Sequence, residues 1–547
     1  MNNGFLPSWL KTRLLTPVRS LARGLGSTQW GLLLPAVGLL GMSLEVSQCP
    51  QNLARPLALD VFKMRSEDAI PPSVPVKAID ESDPVWRFRY VETGTEFRAG
   101  IPYWIFRIMP KIFAEEFKGQ GYEYFGFTAD DDKYYKSRPV PRGMSIGDTS
   151  VRSQLLKVDF TLKRVSINCS GCHQGEYLDA AGKRVLQVGM PNHTADLQGF
   201  KRLFGTAFQS PKFEAKRVIA EINAALAEEK KPPLDWKEQL VYTGLVQTMK
   251  QLTRVAPGAW MDVRPDNGPG RIDPFNAVKF EVLEVPDDQT VATLDFPSVW
   301  NQRKEIRPWH HCDGNTDNSS ARNFGSVIGV GGIPESVNKR TVTRNGEWLD
   351  AFPSPKYPFT APDEAAKNRG ADVFKQRCAS CHGVFGPDNK HLTERGPQFM
   401  TVDLKVGTDP ERWKAFLPDT SEALNRFGFN ANLWPRQAFR GSAAQGGYLC
   451  GPLDGIWARA PYLHNGSVPN IEELLKPPDK RVKTFYRGNR HYDEARLGFV
   501  SNLATDEQRA LFEYDTALTG NSNAGHDYGT DLSDAQRADL IAYLKTL

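Results

Sequence analysis

Two short stretches of this chain hold residues that could do chemistry as a set: Cys169-Ser-Gly-Cys172-His173 and Cys378-Ala-Ser-Cys381-His382. In each, two residues separate the thiols, so one tight turn presents both sulfurs along a single edge. The histidine follows at once. This order suits covalent attachment of a haem: the thiols add across its two vinyl groups, and the imidazole becomes an axial ligand of the iron. A structural zinc site would need four closed ligands, usually from a second cysteine pair. A disulfide pair would leave each histidine without a role. The repetition points to two covalently bound c-type haems, with Cys169, Cys172, Cys378 and Cys381 as attachment points and His173 and His382 as iron ligands.

Other residues compete for the remaining coordination positions. His193 lies 20 residues past His173, far enough along the chain to approach the other face of the same haem. An ordinary loop histidine is the alternative, and Met190 is a second candidate ligand. Trp309-His310-His311-Cys312 could line a pocket. Adjacent side chains point apart on a regular backbone, so one metal site using both His310 and His311 is disfavoured. Cys49, Cys312 and Cys450 are left over from the 7 cysteines. In an oxidising compartment Cys312 and Cys450 could pair, but spacing alone does not fix their distance.

The elements that must position these groups are mainly helical by pattern. Leu197, Phe200, Leu203 and Phe204 fall at helical spacing. Phe213–Ala227 and Leu234–Leu252 read as two further helices, the second capped by Asp235. Residues 255–345 read as shaped loops rich in Gly, Asn and aromatics. The stretch Phe352–Pro362 is dense in proline and marks a linker. Asp363–Arg377 then forms a helix leading into the second motif, and a last helix runs from Ser533 to Leu547, with Ser533 and Gln536 as a capping box. The expected organisation is a targeting segment at 1–57, an N-terminal haem domain with a wrapping layer and insertions at 58–350, and a C-terminal cytochrome c domain at 362–547. The fold class is thus mainly α: two cytochrome c-like haem domains with long loop-rich insertions and few short strands.

Composition excludes some classes of function. Of 547 residues, 40% are hydrophobic and 24% charged, an ordinary globular mixture with room for a large core. The net charge of +4 is too small to argue for nucleic acid. A basic stretch with Lys11, Arg13, Arg19 and Arg23 precedes an apolar run from Trp30 to Leu44. That run is short for a spanning helix, which needs about 20 residues. It suits an export signal or an uncleaved membrane anchor, and so a periplasmic or secreted protein.

The two motifs, about 200 residues apart, resemble the bacterial di-haem cytochrome c peroxidase superfamily. Gly455–Pro469 is similar to that superfamily's signature after the second haem. Thr484–Gly488, Gly520–Gly529, Gly268–Asn276, Asp295–Gln302 and His311–Asn315 look like its rubber-oxygenase-like branch. The resemblance covers roughly residues 80–547 and is most specific in the last 180. It implies that His382 is the proximal ligand of the second haem and His526 its distal ligand, with His464 the rival, placed in the haem surroundings. It implies that Trp457 lies near the haems and assists electron transfer, with core packing as the alternative. His173 becomes the proximal ligand of a reactive haem whose other face takes O₂ or peroxide. Two departures stand against polyisoprene cleavage: Cys312 replaces the tryptophan of the branch's His-Trp-Asp-Gly-Asn stretch, and Ile328 replaces a pocket aromatic. The branch also lacks a cysteine at the position of Cys450, and the two unexpected cysteines together favour a Cys312–Cys450 disulfide.

The function expected is that of a di-haem oxidoreductase, with electron transfer between the haems and peroxide or O₂ chemistry at the N-terminal one. Its partner would be a small redox protein or a small-molecule oxidant. The alternatives are a non-catalytic electron carrier and a dioxygenase acting on a polyisoprenoid. Peroxide chemistry needs a distal acid–base residue; His193 and His311 are the leading candidates, with Glu281 and Glu284 behind them. A calcium ion between the haems is a further cofactor left open.

Overall fold

The computed structural model describes residues 83–547, except 130–139, 153–158, 255–258, 387–390, 404, 443–445, 504 and 507–508. The targeting reading of residues 1–57, with Cys49, lies outside the described residues. The described chain is mainly helical, and its short sheets are antiparallel.

The wrapping layer before the first motif contains a long two-stranded ladder within a mainly helical chain. Met144–Arg152 pairs with Asp159–Ile167 along its whole length, with Met144 opposite Ile167, and Ile101–Pro102 adds to the other edge. Phe160, Thr161, Val165 and Ile167 carry the β-favouring side chains. Interleaved charges hid the pattern. The sheet delivers the chain at Ile167 into Asn168, which caps the short helix Cys169–His173: its side chain accepts from Ser170 N and donates to Arg89 O at 2.7 Å. The first motif is therefore fastened to the helix Pro84–Tyr90.

Behind this sheet pack the helices Leu197–Gln209, Ala215–Glu228 and Trp236–Arg254. Phe204, Val218, Ile222, Leu226 and Val246 bury in one core with Phe106 and Phe117. Asp235 and Glu238 cap the third helix reciprocally, each accepting from the other's backbone N–H at 2.8 Å.

Residues 255–345 are not all loop. They include the helix Ser319–Gly329, and the helix Lys339–Ala351 begins within them. Each is started by an asparagine, Asn318 or Asn338, whose side chain accepts from a backbone N–H inside the first turn. Asparagine marks turns as readily as helix starts, so the composition read as loop.

In the C-terminal part the helix Glu364–Arg377 lies against Asp534–Leu544. A Cβ at Gly370 would sit 1.9 Å from Asp539 O, so only glycine permits this crossing. Arg369 clamps the same Asp539 through two bonds of 2.8 Å, and Phe374 meets Tyr543 at 5.1 Å between ring centroids. The proline-rich stretch is packed rather than free: Tyr357 and Phe359 join Tyr177 and Tyr492 around the fully buried Trp457.

Candidate functional site

Both motif histidines are oriented from a distance. His173 Nδ1 donates to Pro297 O at 2.9 Å, and His382 Nδ1 donates to Gly451 O at 2.7 Å. A carbonyl oxygen only accepts, so each Nδ1 carries the proton and each Nε2 keeps its lone pair for a metal. Burial pushes the His173 pKa down to about 4 and lowers that of His382, so both rings are neutral. All four motif thiols are free.

A cavity of about 440 Å³ opens beside the second motif. Cys378, Cys381, His382, Met400 and His526 line one part of it; Phe296, Pro297, Gln302, Arg322, His310 and His311 line another. Across it His526 faces His382, with ring centroids 6.4 Å apart. Two metal–nitrogen bonds of about 2 Å with half an imidazole at each end span roughly the same length. His526 Nδ1 is buried without a partner, and burial lowers its pKa to about 4. The residues present therefore fit a c-type haem held by Cys378 and Cys381 between two neutral histidines.

Charge on the cavity wall also suits a carboxylate-bearing group. Arg322 lines the cavity, its Nη2 bonds Gln302 Oε1, and its buried Nε has no partner. No carboxylate among the described residues forms an ion pair with it, and burial lowers its pKa to about 10. Arg307 and Arg459 line the same wall and share Asp454. After burial, the Arg322 charge is the next cause of depressed pKa at His173 and His310, while at His311 the Arg412 charge comes before it.

His311 is held firmly. Its Nδ1 meets Asn315 Oδ1 at 2.6 Å, and its backbone is left-handed at φ 61°. Burial pushes its pKa down to about 4 and that of His310 down to about 2. His464 also lines the cavity, stacked on Tyr448 with centroids 3.9 Å apart, and its Nε2 is buried without a partner.

Other expected site residues lie elsewhere. The His193 ring bonds Asn489 O at 2.9 Å and stacks on Phe499 at 3.7 Å, away from the cavity lining. Met190 is core. Glu281 bonds Lys201 and Trp260, and Glu284 sits in a left-handed turn. Trp457 donates to Pro355 O within its aromatic cluster rather than facing the cavity. Ile328 belongs to a separate helical core with Phe275 and Phe416.

The disulfide is a correction: Cys312 and Cys450 are both free. Leu449 N bonds Cys312 O at 2.7 Å, which brings the two backbones together. The Cys450 peptide, however, is engaged by the other neighbour, bonding Thr401 O and Met400 N. Among the described residues no group of three or more His, Cys, Asp or Glu gathers to hold a metal ion, and no helix is long and apolar enough to cross a membrane.

Sequence reasoning missed the two orienting carbonyls and the arginines of the wall. Pro297 and Arg459 did lie in stretches singled out as shaped, 295–302 and 455–469. A backbone carbonyl, however, carries no residue-type signal.

Comparison with known proteins supports the haem reading. Residues 447–486, which carry Gly451 and His464, match the family model described as RoxA-like, cytochrome c-like. Residues 87–173, ending on the first motif, match a Y4iN-like domain. The uncharacterized protein y4iJ of Sinorhizobium fredii (strain NBRC 101917 / NGR234) is 28% identical over 480 residues, covering 71% of this chain and 77% of that protein. The uncharacterized protein y4iM of the same organism is 31% identical over 328 residues, covering 52% of this chain and 72% of that protein. A cytochrome c-like segment implies covalently bound c-type haem, in keeping with the second motif and the cavity beside it. With that identity across most of the relative's length, the chain belongs to the family of y4iM, and within it bears a RoxA-like cytochrome c segment.

Proposed function

We propose that this is an exported di-haem c-type cytochrome related to the di-haem peroxidases, in which the second haem stores and passes electrons and the first handles peroxide or O₂. The observation that carries the reading is the 6.4 Å separation of His382 and His526 across the cavity. A haem held by two histidines supplies one-electron storage, and a haem with one free face supplies a place for an oxidant.

The chain's own groups then have distinct tasks. His382 and His526 saturate the second site, which suits it to electron transfer with a small redox protein. At the first site only His173 is presented, since His193 is engaged by Asn489 and Phe499. Asn315 fixes the His311 ring as the Nδ1–H tautomer, so its Nε2, on the cavity wall, would be free to accept and return a proton if an oxidant were held there. Arg322 would offer a fixed positive charge on the cavity wall that His311 also lines. Cys312 at the tryptophan position and Ile328 in a separate core favour peroxide chemistry over polyisoprenoid cleavage.

A pyridine haemochrome assay should give two c-type haems per chain. The oxidised protein should show one low-spin bis-histidine signal, and CO should bind one iron after reduction. Peroxide should be consumed with a reduced cytochrome c as electron donor. Low-spin iron alone, with no CO binding, would make the protein a plain electron carrier. One haem per chain would overturn the proposal.

A further inference from the structure

Arg481 is 2% exposed and devotes its guanidinium to main-chain oxygens. Nε donates to Lys476 O at 3.1 Å. Nη1 donates to Asn523 O at 2.6 Å and Gly525 O at 2.7 Å. Nη2 donates to Leu474 O and His526 O, each at 3.0 Å. An arginine has five N–H donors in a rigid fork, and five carbonyls meet them here. Among the described residues no carboxylate forms an ion pair with it. Three of the carbonyls belong to the loop that ends on His526.

That loop would not hold this shape alone. His526 has φ 53°, in the left-handed region that a residue with a Cβ leaves unless its surroundings fix it. Gly525 precedes it at φ 72°, and a Cβ there would lie 2.2 Å from the Gly407 carbonyl carbon. His526 N donates to Val406 O at 2.7 Å. The loop is thus held between the chain at 406–407 on one side and the Arg481 fork on the other. None of these contacts touches the imidazole itself. They act on the backbone that aims it.

We propose that Arg481 is the positioning residue that keeps His526 opposite His382, and thereby keeps the second iron closed to small ligands. This inference rests on the bis-histidine reading of the second site. A lysine could not substitute fully, because three donors on one nitrogen cannot reach carbonyls spread across the planar fork.

The test compares Arg481→Met, Arg481→Lys and His526→Gly in the full di-haem chain. The Met variant should lose most of the low-spin signal of the second haem, and its reduced form should bind CO at both irons instead of one. Added imidazole should restore the low-spin signal, while a wild-type far-UV circular dichroism spectrum and thermal melt should show that the fold is intact. His526→Gly should give the same spectrum, and combining it with Arg481→Met should add nothing. Arg481→Lys should fall between the Met variant and the wild type. A Met variant with wild-type spin state and CO stoichiometry would overturn the assignment. If the Met variant gives no soluble holoprotein, a Lys variant with a wild-type spectrum overturns it equally. If His526→Gly itself leaves the low-spin signal intact, the bis-histidine reading fails, whatever Arg481 does.

Discussion

Arg307 reaches Asp454, 147 residues further along the chain, with a 2.7 Å bond from Nη2 to Oδ1. Arg459 uses the same oxygen at 2.7 Å, and Asn301 donates to Oδ2 at 2.7 Å. Asp454 is fully buried. Removing one partner of a buried ion pair leaves the other charges uncompensated, at about 3–5 kcal/mol. Asp454→Ala should therefore lower the unfolding free energy of the holoprotein by about that amount. Denaturant titration followed by tryptophan fluorescence measures it. A loss below about 1 kcal/mol would mean that the cluster is solvated.

The proton-handling role of His311 separates from its structural role. His311→Gln should slow peroxide consumption by about 10²–10⁴ while leaving the low-spin signal of the second haem unchanged. Asn315→Ala frees the ring without removing it and should cost less. Stopped-flow mixing with peroxide reads both. Equal rates in wild type and His311→Gln would remove His311 from the chemistry.

Cys312 and Cys450 are unbridged, and burial pushes both thiols up to about 12. The thiolate is the reactive form, so both should resist alkylation in the native protein. Both should be alkylated in denaturant without any reductant, with mass spectrometry locating the label. A pair that stays unlabelled until reduced would show a bond between them.

Acid should destabilise the fold through its buried imidazoles. Burial pushes the pKa of His310 down to about 2, that of His464 to about 3 and that of His311 to about 4. Unfolding returns each to about 6.5, so below that value the unfolded chain binds protons that the folded chain refuses. This contribution to stability is intact above about pH 6.5 and is lost progressively as the pH falls toward 4. Thermal melts of the holoprotein across this window should show a falling midpoint, and His464→Gln should flatten the slope. An unchanged slope would remove His464 from the effect.

What was legible in the sequence was what is local. The two motifs, the caps at Asp235 and Ser533, and the helices they start depend on neighbours within a few residues. The sheet Met144–Arg152 with Asp159–Ile167 was missed because its pattern is diluted by charge. The helices after Asn318 and Asn338 were missed because asparagine signals turn and cap alike. Arg481, Asp454 and the orienting carbonyls act through contacts between distant segments, which one sequence does not pair. The family resemblance located His526 and His464, and the structure places both on the cavity wall.

The anchoring of His173 Nδ1 to Pro297 O, 124 residues downstream, has a consequence for biogenesis. On the haem reading proposed above, the thioether bonds would involve only the two cysteines of the local motif. The orientation of the His173 ring needs a segment that has not yet emerged when Cys169–His173 first becomes available. The same holds for His382, whose anchor at Gly451 lies 69 residues further on. If both motifs carry haem as proposed, attachment of the pigment and tuning of its iron would be separated in time, the first a local event on an immature chain, the second completed only when the polypeptide closes on itself.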